Sequence, residues 1–158
     1  MNMEKKFELT DNFIINAFGV KLFQIKCTKS FKYAKEGDLG GYVEKDENLD
    51  QESDAWVSGD ARVSGNARVY GDARVYGDAE IDNNNKHCGF DCFGSANRHT
   101  HAYLTKENKV EITCGCFRGS IEEFEKRVEE THSGTIYEKQ YKAIIDVIKI
   151  KFGLTDLI

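Results

Sequence analysis

The sequence contains no proline, so its turns must be built by other residues. It holds 14 glycines, which together with asparagine and aspartate tolerate the left-handed backbone that tight turns need. It also lacks any run approaching the roughly 20 apolar residues of a membrane-spanning helix. Residues 1–10 alternate charged and apolar side chains and do not form the apolar core of a signal peptide. These absences predict a cytoplasmic protein with no membrane partner.

An excess of positive charge is also missing, because the net charge is -5. Nucleic acid would be repelled by this overall field, so we do not expect it as a partner. Hydrophobic residues make up 40% of the chain and charged residues 31%, which is typical of a folded globular protein. Five cysteines, an odd number, indicate free thiols or metal ligands in the cytoplasm and not a disulfide framework.

The first predicted region comprises residues 1–48. Two strand-like runs, Phe13–Ile15 and Val20–Ile25, are separated by the four residues Asn16–Gly19 and predict a β-hairpin. A glycine-rich turn follows at Glu36–Gly41. A phosphate-binding loop would need a helix after it, and none is indicated here, so we interpret the turn as backbone geometry.

The second predicted region, residues 49–86, contains a hexapeptide repeat. From Val57 to Ile81 an aliphatic residue recurs at every sixth position, with an alanine four places after each valine. Self-similarity of this kind is typical of a solenoid, in which each six-residue rung supplies one short strand with its valine and alanine pointing inward. We therefore predict a short left-handed parallel β-helix.

Three rungs would complete one turn, so residues 18 positions apart should lie one above another. This predicts that Trp56 lies over Arg74 and that Arg62 lies over Glu80. The ends of so short a prism would be open sheet edges, which must be capped or paired. We therefore expect a homo-oligomer, with a trimer favoured.

The third predicted region, residues 87–158, has the pattern of an α+β domain. Two strand-like runs form a hairpin, and Ser120 with Glu123 forms a capping box that begins an amphipathic helix. A second amphipathic helix ends at Gly153. The predicted fold class is thus mainly β, with an N-terminal β-hairpin, a short left-handed parallel β-helix and a C-terminal α+β domain with two helices.

Cysteines and histidines concentrate in this third region. Cys114 and Cys116 are separated by a single glycine, which does not match the Cys-x-x-Cys spacing of a zinc site, so we predict neither a metal nor a cofactor. The same two thiols with His132 remain a candidate thiol site. The hexapeptide repeats contain no histidine, which disfavours the acyltransferases and carbonic anhydrases built on such repeats. We assign no catalytic residue. The sequence favours a protein that is not an enzyme, without deciding the question.

A polar loop in the third region is the candidate ligand-binding site. It contributes Ser95, Asn97, Arg98 and Thr100, whose side chains offer hydrogen-bond donors that an anionic ligand could use.

Taken together, these segments resemble a family of uncharacterised hexapeptide-repeat proteins of phages and prophages with a C-terminal Cys-Gly-Cys-Phe domain. The resemblance covers nearly the whole chain and rests on an ordered set of motifs: Gly37–Gly41, Asn48-Leu49, Ala55–Val57, the hexads, Gly94-Ser95 with Arg98–Thr100, Cys114–Gly119, and the helix with Glu123-Phe124, Val128 and Thr131-His132.

The resemblance implies an accessory role in the cytoplasm of an infected host bacterium. Such a protein would inhibit a host defence protein or sequester a small, nucleotide-like signal. Combined with the expected oligomer and the lack of an assigned catalytic residue, this predicts a non-enzymatic, oligomeric binding protein. The alternatives are a structural piece of a virion stem, an enzyme similar to the hexapeptide acyltransferases, and a thiol-dependent hydrolase.

Overall fold

The structure is a computed structural model that describes residues 4–154 of the chain. The chain divides into two compact units between Asn84 and Asn85, and each unit has sheets of its own. Within residues 4–154 none of the helices has the length and apolar character needed to cross a membrane.

The strands of the first unit form one five-stranded and one two-stranded sheet. In chain order they are β1 (Phe7–Ile15), β2 (Lys21–Cys27), β3 (Leu39–Val43), β4 (Trp56–Val57), β5 (Arg62–Val63), β6 (Arg74–Val75) and β7 (Glu80–Ile81). The larger sheet has the order β1-β2-β3-β5-β7, and β4 pairs with β6. The predicted N-terminal hairpin is confirmed, since β1 and β2 are antiparallel.

The hexad valines point inward, as the repeat predicts. Val57, Val63, Val69 and Val75 are all fully buried. The alanines between them are buried as well: Ala61, Ala67, Ala73 and Ala79. Each rung turns at a glycine with positive φ, a conformation that costs glycine little because it has no Cβ. The first unit thus has a core made of small, repeated aliphatic side chains.

The pairing of residues 18 positions apart is also confirmed. Trp56 is in register with Arg74 on β4 and β6, and Arg62 is in register with Glu80 on β5 and β7. The Arg74 guanidinium lies 4.4 Å from the ring centroid of Tyr33, so its flat face is covered by an aromatic side chain.

The predicted fold class is nevertheless wrong, because the hexads do not form a regular left-handed parallel β-helix. The five-stranded sheet is mixed. Its strands β1, β2 and β3 pair antiparallel, whereas β3 with β5 and β5 with β7 pair parallel. Over residues 4–154 the observed fold is α+β, with a mixed five-stranded sheet, a parallel two-stranded sheet, an antiparallel four-stranded sheet and two α-helices.

Strand length and spacing explain this difference. Each hexad strand has only two residues, whereas β1 has nine and β2 has seven, so the hairpin provides the larger sheet that β5 and β7 extend. On one side of the coil, Leu49 pairs with Val69 only through an isolated bridge and not through strands. This pair is 20 positions apart, as are Val43 and Val63 on β3 and β5, so the separation of 18 does not hold throughout. The repeat therefore does not close into a uniform three-sided prism.

The second unit is an antiparallel sheet with two helices on one face. Its strands have the order β11-β10-β9-β8. In chain order the elements are β8 (His87–Phe93), β9 (Arg98–Leu104), β10 (Val110–Cys114), β11 (Phe117–Gly119), α1 (Ile121–His132) and α2 (Ile136–Lys151). The predicted capping box is confirmed: the Ser120 side chain accepts from the backbone N–H of Glu123, whose carboxylate in turn accepts from the N–H of Ser120.

The core of the second unit lies between this sheet and the helices. Its buried members include Ala102 and Cys114 from the sheet, Phe124 and Val128 from α1, and Tyr141 from α2. Alternate residues of a strand point to opposite faces, so the residues that alternate with Ala102 along β9 lie on the face away from the helices. The two faces of this sheet carry different chemistry.

Candidate functional site

A cavity of about 190 Å³ opens on the helix side of the second unit. Its wall is formed by side chains from three strands and both helices, β9, β10, β11, α1 and α2, and from the turn between β8 and β9. The lining residues are Ser95, Ala96, Arg98, Cys114, Cys116, Phe117, Phe124, Arg127, Val128, Thr131, His132 and Tyr141.

Two arginines supply positive charge at the cavity. Arg98 begins β9, and its side chain lies against Gly115 in the turn between β10 and β11. Gly115 has φ of +57°, and a Cβ at this position would overlap the Arg98 guanidinium. Arg127 projects from α1, with its guanidinium 5.5 Å from the ring centroid of Phe117. A planar guanidinium can offer two parallel N–H groups to one carboxylate or phosphate.

Aromatic rings form the apolar part of the wall. Phe124 and Tyr141 meet edge to face, with ring centroids 5.5 Å apart and planes at 87°. The His132 ring stacks on Tyr141 at 5.5 Å, and Phe117 lies 5.2 Å from Phe124. The cavity therefore combines cationic groups with flat apolar surfaces, a combination that suits an organic anion.

The turn between β8 and β9 is fixed to α2. The backbone N–H of Gly94 donates to the side-chain oxygen of Gln140 at 2.9 Å. Gly94 has φ of +80°, and a Cβ there would overlap the Tyr141 hydroxyl, so only glycine allows this close approach. The next residue, Ser95, lines the cavity, and Asn97 also takes a positive φ, of 49°.

Cys114 lies at the buried end of the cavity between two hydroxyl groups. The Thr100 hydroxyl donates to its sulfur at 3.2 Å, and the Tyr141 hydroxyl is 3.8 Å from the same atom. Burial raises the pKa of Tyr141 well above its ordinary value, the neighbouring Cys114 adds to this, and Arg98 opposes it. Tyr141 is therefore a neutral hydroxyl at physiological pH. Cys116, in contrast, is exposed.

The structure brings residues from the two predicted sites into one cavity. Ser95 and Arg98 were predicted as ligand-binding residues, and Cys114, Cys116 and His132 as a thiol site. Of the other predicted ligand-binding residues, Asn97 is exposed in the turn and Thr100 is buried beneath Cys114, and the cavity wall contains neither.

Sequence reasoning missed Arg127, Thr131 and Phe117 as lining residues. Arg127 and Thr131 are four positions apart, which places them on one face of α1 beside His132. That spacing could have indicated a shared polar face.

A second polar cluster, also missed, occupies the opposite face of the sheet. Its members form a hydrogen-bonded row in the order Asp91, His99, His101 and His87. His99 Nδ1 bonds to the Asp91 carboxylate, His99 Nε2 is 2.9 Å from His101 Nδ1, and His101 Nε2 is 3.0 Å from His87 Nδ1. The three imidazoles are buried.

The Asp91 carboxylate fixes the first hydrogen bond of this row. A carboxylate only accepts, so His99 donates to it from Nδ1. Each of the other two contacts joins two imidazole nitrogens, of which one donates and the other accepts. Burial lowers the pKa of His87 to about 4, with a further contribution from Lys151, and burial also lowers the pKa of His101 well below its ordinary value.

The row does not converge on a point where a metal could bind. His101 directs its two nitrogens at two different imidazoles, so three ligand atoms do not face one centre. Among residues 4–154 no group of three or more histidine, cysteine, aspartate or glutamate side chains has a geometry that could hold a metal ion.

Comparison with known proteins identifies no family for this chain. A scan against models of protein families finds no match to this chain, and a search of curated proteins finds none either. The resemblance to the phage and prophage family therefore rests on the motifs in the sequence.

Proposed function

We propose that the protein is a non-enzymatic binding protein for a small organic anion, held in the cavity of the second unit. The observation that carries this proposal is the pair of guanidinium groups, Arg98 and Arg127, at one cavity with aromatic walls. Arginine forms charge-assisted hydrogen bonds to carboxylates and phosphates, and the rings of Phe117 and Phe124 offer apolar contact to the rest of the ligand.

The size of the cavity narrows the ligand class. At about 190 Å³ it is smaller than the roughly 300–1,000 Å³ typical of sites for drug-sized molecules. A phosphate or carboxylate group with a short organic part fits this volume. Of a nucleotide, the group that this cavity would hold is the phosphate, beside Arg98 and Arg127.

The surroundings of Cys114 favour binding over catalysis. Its two hydrogen-bond neighbours are the hydroxyls of Thr100 and Tyr141, and neither group is a base that could remove the thiol proton. A thiol-dependent hydrolase, the second candidate, would instead use Cys116 with His132, since both line the cavity. Rapid turnover of an ester substrate that is lost in Cys116→Ser would favour the hydrolase.

The resemblance extends the proposal to a biological setting. A phage protein with this site would sequester a nucleotide-like signal, or inhibit a host defence protein, in the cytoplasm of the host bacterium. We further propose that it self-associates.

The anion site is tested by calorimetry with inorganic phosphate, mononucleotides, cyclic nucleotides and small dicarboxylates. For the compounds that bind, Arg127→Gln should weaken affinity about 10-fold or more, because a hydrogen bond to a charged group contributes roughly 1.5–3 kcal/mol. Lys126→Gln is the matched control, since it removes the same charge from the next position of α1, outside the cavity wall.

Two results would contradict the proposal. One is a panel in which no phosphate or carboxylate compound binds. The other is a compound whose affinity falls equally in Arg127→Gln and Lys126→Gln, because that would reflect the overall charge of α1 and not the cavity.

A further inference from the structure

Helix α2 has two apolar faces, and only one of them is used by the core. Tyr141, Ile144, Ile145 and Ile148 are buried against the rest of the second unit. The other apolar residues are exposed: Ile136 by 64%, Val147 by 49% and Ile150 by 60%. An amphipathic surface helix normally carries polar residues on its outer face, so this second apolar face requires an explanation.

The exposed apolar residues follow the spacing of a helix–helix contact. Ile136, Ala143, Val147 and Ile150 are separated by steps of seven, four and three residues. At 100° per residue these steps place all four on one narrow stripe along α2, the arrangement found at the seam of packed helices. Ala143, at the centre, is small and exposed, which permits close approach of a second helix.

Two charges of opposite sign border one edge of this stripe. Lys139 and Asp146 are exposed and seven residues apart, so they lie about two turns from each other on the same side of the helix. One precedes Ala143 by four positions and the other follows it by three. The edge therefore carries a positive end and a negative end, placed nearly symmetrically about Ala143.

We infer that this stripe, defined by Ile136, Ala143, Val147 and Ile150, binds the same stripe of a second copy in antiparallel orientation. A two-fold axis at Ala143 brings Ile136 against Ile150 of the second copy, because both lie seven positions from the centre. It also brings Lys139 opposite Asp146 of the second copy, and the reverse. Self-complementarity of this kind is what an isologous two-fold interface requires.

The charges select a second copy over an unrelated helix. In an antiparallel pair the charged edges of the two copies lie side by side. Each dimer then contains two contacts between Lys139 of one copy and Asp146 of the other. The expected affinity is modest, because a single helix of 16 residues forms an interface below the standard size. We expect a dissociation constant on the order of 10 µM.

This inference rests on the self-association proposed above and names its surface. Sedimentation equilibrium from low to high micromolar concentration should show a monomer–dimer equilibrium. Ile150→Glu should leave only monomer, since it buries unpaired carboxylates at the seam. Phe18→Glu is the matched control: Phe18 is an exposed apolar residue of the first unit, 81% exposed, and its replacement should leave the dimer intact.

Charge exchange tests the orientation. Lys139→Glu and Asp146→Lys should each weaken the dimer at least several-fold by placing like charges together, and the double variant should recover it. Ala143→Cys should form a disulfide across the two-fold axis on mild oxidation, whereas Lys142→Cys should form much less. The parent protein, which already has exposed Cys92 and Cys116, gives the background for both.

The outcomes separate the surface from the self-association itself. An oligomer that Ile150→Glu leaves intact, or a double charge variant that does not recover, would overturn the stripe while leaving self-association standing. A monomer at every concentration would overturn both.

Discussion

The two units differ in how they bury polar side chains. In the first unit the buried polar groups bond to backbone atoms: Asn48 donates to the carbonyls of Gly65 and Ala67, and Lys6 donates to those of Ser53 and Ala55. In the second unit they bond to one another, in the histidine row and in the Thr100, Cys114 and Tyr141 cluster.

This difference indicates what each unit is built to do. Side chains that bond backbone carbonyls replace hydrogen bonds that short, irregular strands cannot make, so they support the fold. Side chains that bond side chains are not needed to complete the sheet, and they create groups whose charge can change or whose donors can face a ligand.

The largest expected effect is in the repetitive core of the first unit. Val69→Asp places a carboxylate at a fully buried position with no partner, which costs several kcal/mol and is comparable to the roughly 5–15 kcal/mol stability of a typical domain. We expect loss of cooperative thermal unfolding of that unit. Tyr70→Asp, at the next position and 59% exposed, is the control and should melt like the parent. Equal melting of Val69→Asp and the parent would show that the valines do not point inward.

The histidine row should make the second unit sensitive to acid. The folded pKa of His87 is lowered from 6.5 to about 4, so the unfolded chain binds more protons between these values, and stability must fall as pH falls from 6.5 towards 4. His87 alone corresponds to roughly 3 kcal/mol at about 1.4 kcal/mol per pKa unit, and His101, whose pKa is also lowered, adds to the slope.

Denaturant titrations of the parent and of His101→Phe over pH 4–8 measure this effect. The variant should lose less stability on acidification than the parent. At pH 8, where the imidazoles are neutral, the difference in stability between variant and parent measures the effect of the changed packing alone. A parent stability that is flat between pH 6.5 and 4 would be incompatible with neutral, buried imidazoles.

How far the sequence predicts this fold differs between the two units. The hexad period correctly predicts the buried valines and the pairing of Trp56 with Arg74, since both depend only on spacing along the chain. It does not predict that the hairpin supplies the larger sheet, nor that Leu49 pairs with Val69, because both depend on which strands meet in space.

The candidate site was predictable only in pieces. Arg98 and Cys114 could be proposed from their residue types, but their meeting depends on the register of β9 with β10, which pairs Cys114 with Thr100. Arg127 could not be assigned until the face of α1 that packs on the sheet was known. The histidine row depends on a register shift in β8 between Phe90 and Phe93, which brings Asp91 within reach of His99 and has no clear marker in the sequence.

A smaller effect is expected where a polar side chain completes the backbone of the first unit. Asn48→Ala removes the donors to two carbonyls and the acceptor for the N–H of Lys45, so we expect a loss of about 2–3 kcal/mol in the free energy of unfolding. Asn66→Ala, at an exposed position of the hexads, is the control for loss of an asparagine side chain. If both variants unfold at the same denaturant concentration, the Asn48 amide does not support the irregular side of the coil.

The smallest expected loss of stability, and the most specific loss of function, comes from Gly115→Ala. Gly115 has φ of +57°, so a Cβ costs about 1–2 kcal/mol from backbone strain, and it also displaces the Arg98 side chain that lies against it. Gly134→Ala is a matched control, because Gly134 has φ of +78° and an added Cβ would have no atom within 4 Å beyond those of its neighbours in the chain. Both variants should therefore lose a similar amount of stability, measured by denaturant unfolding, but only Gly115→Ala should weaken binding of the phosphate or carboxylate compounds in calorimetry. Equal affinity in the two variants would mean that Arg98 does not contact the ligand, and the anion site would then depend on Arg127 alone.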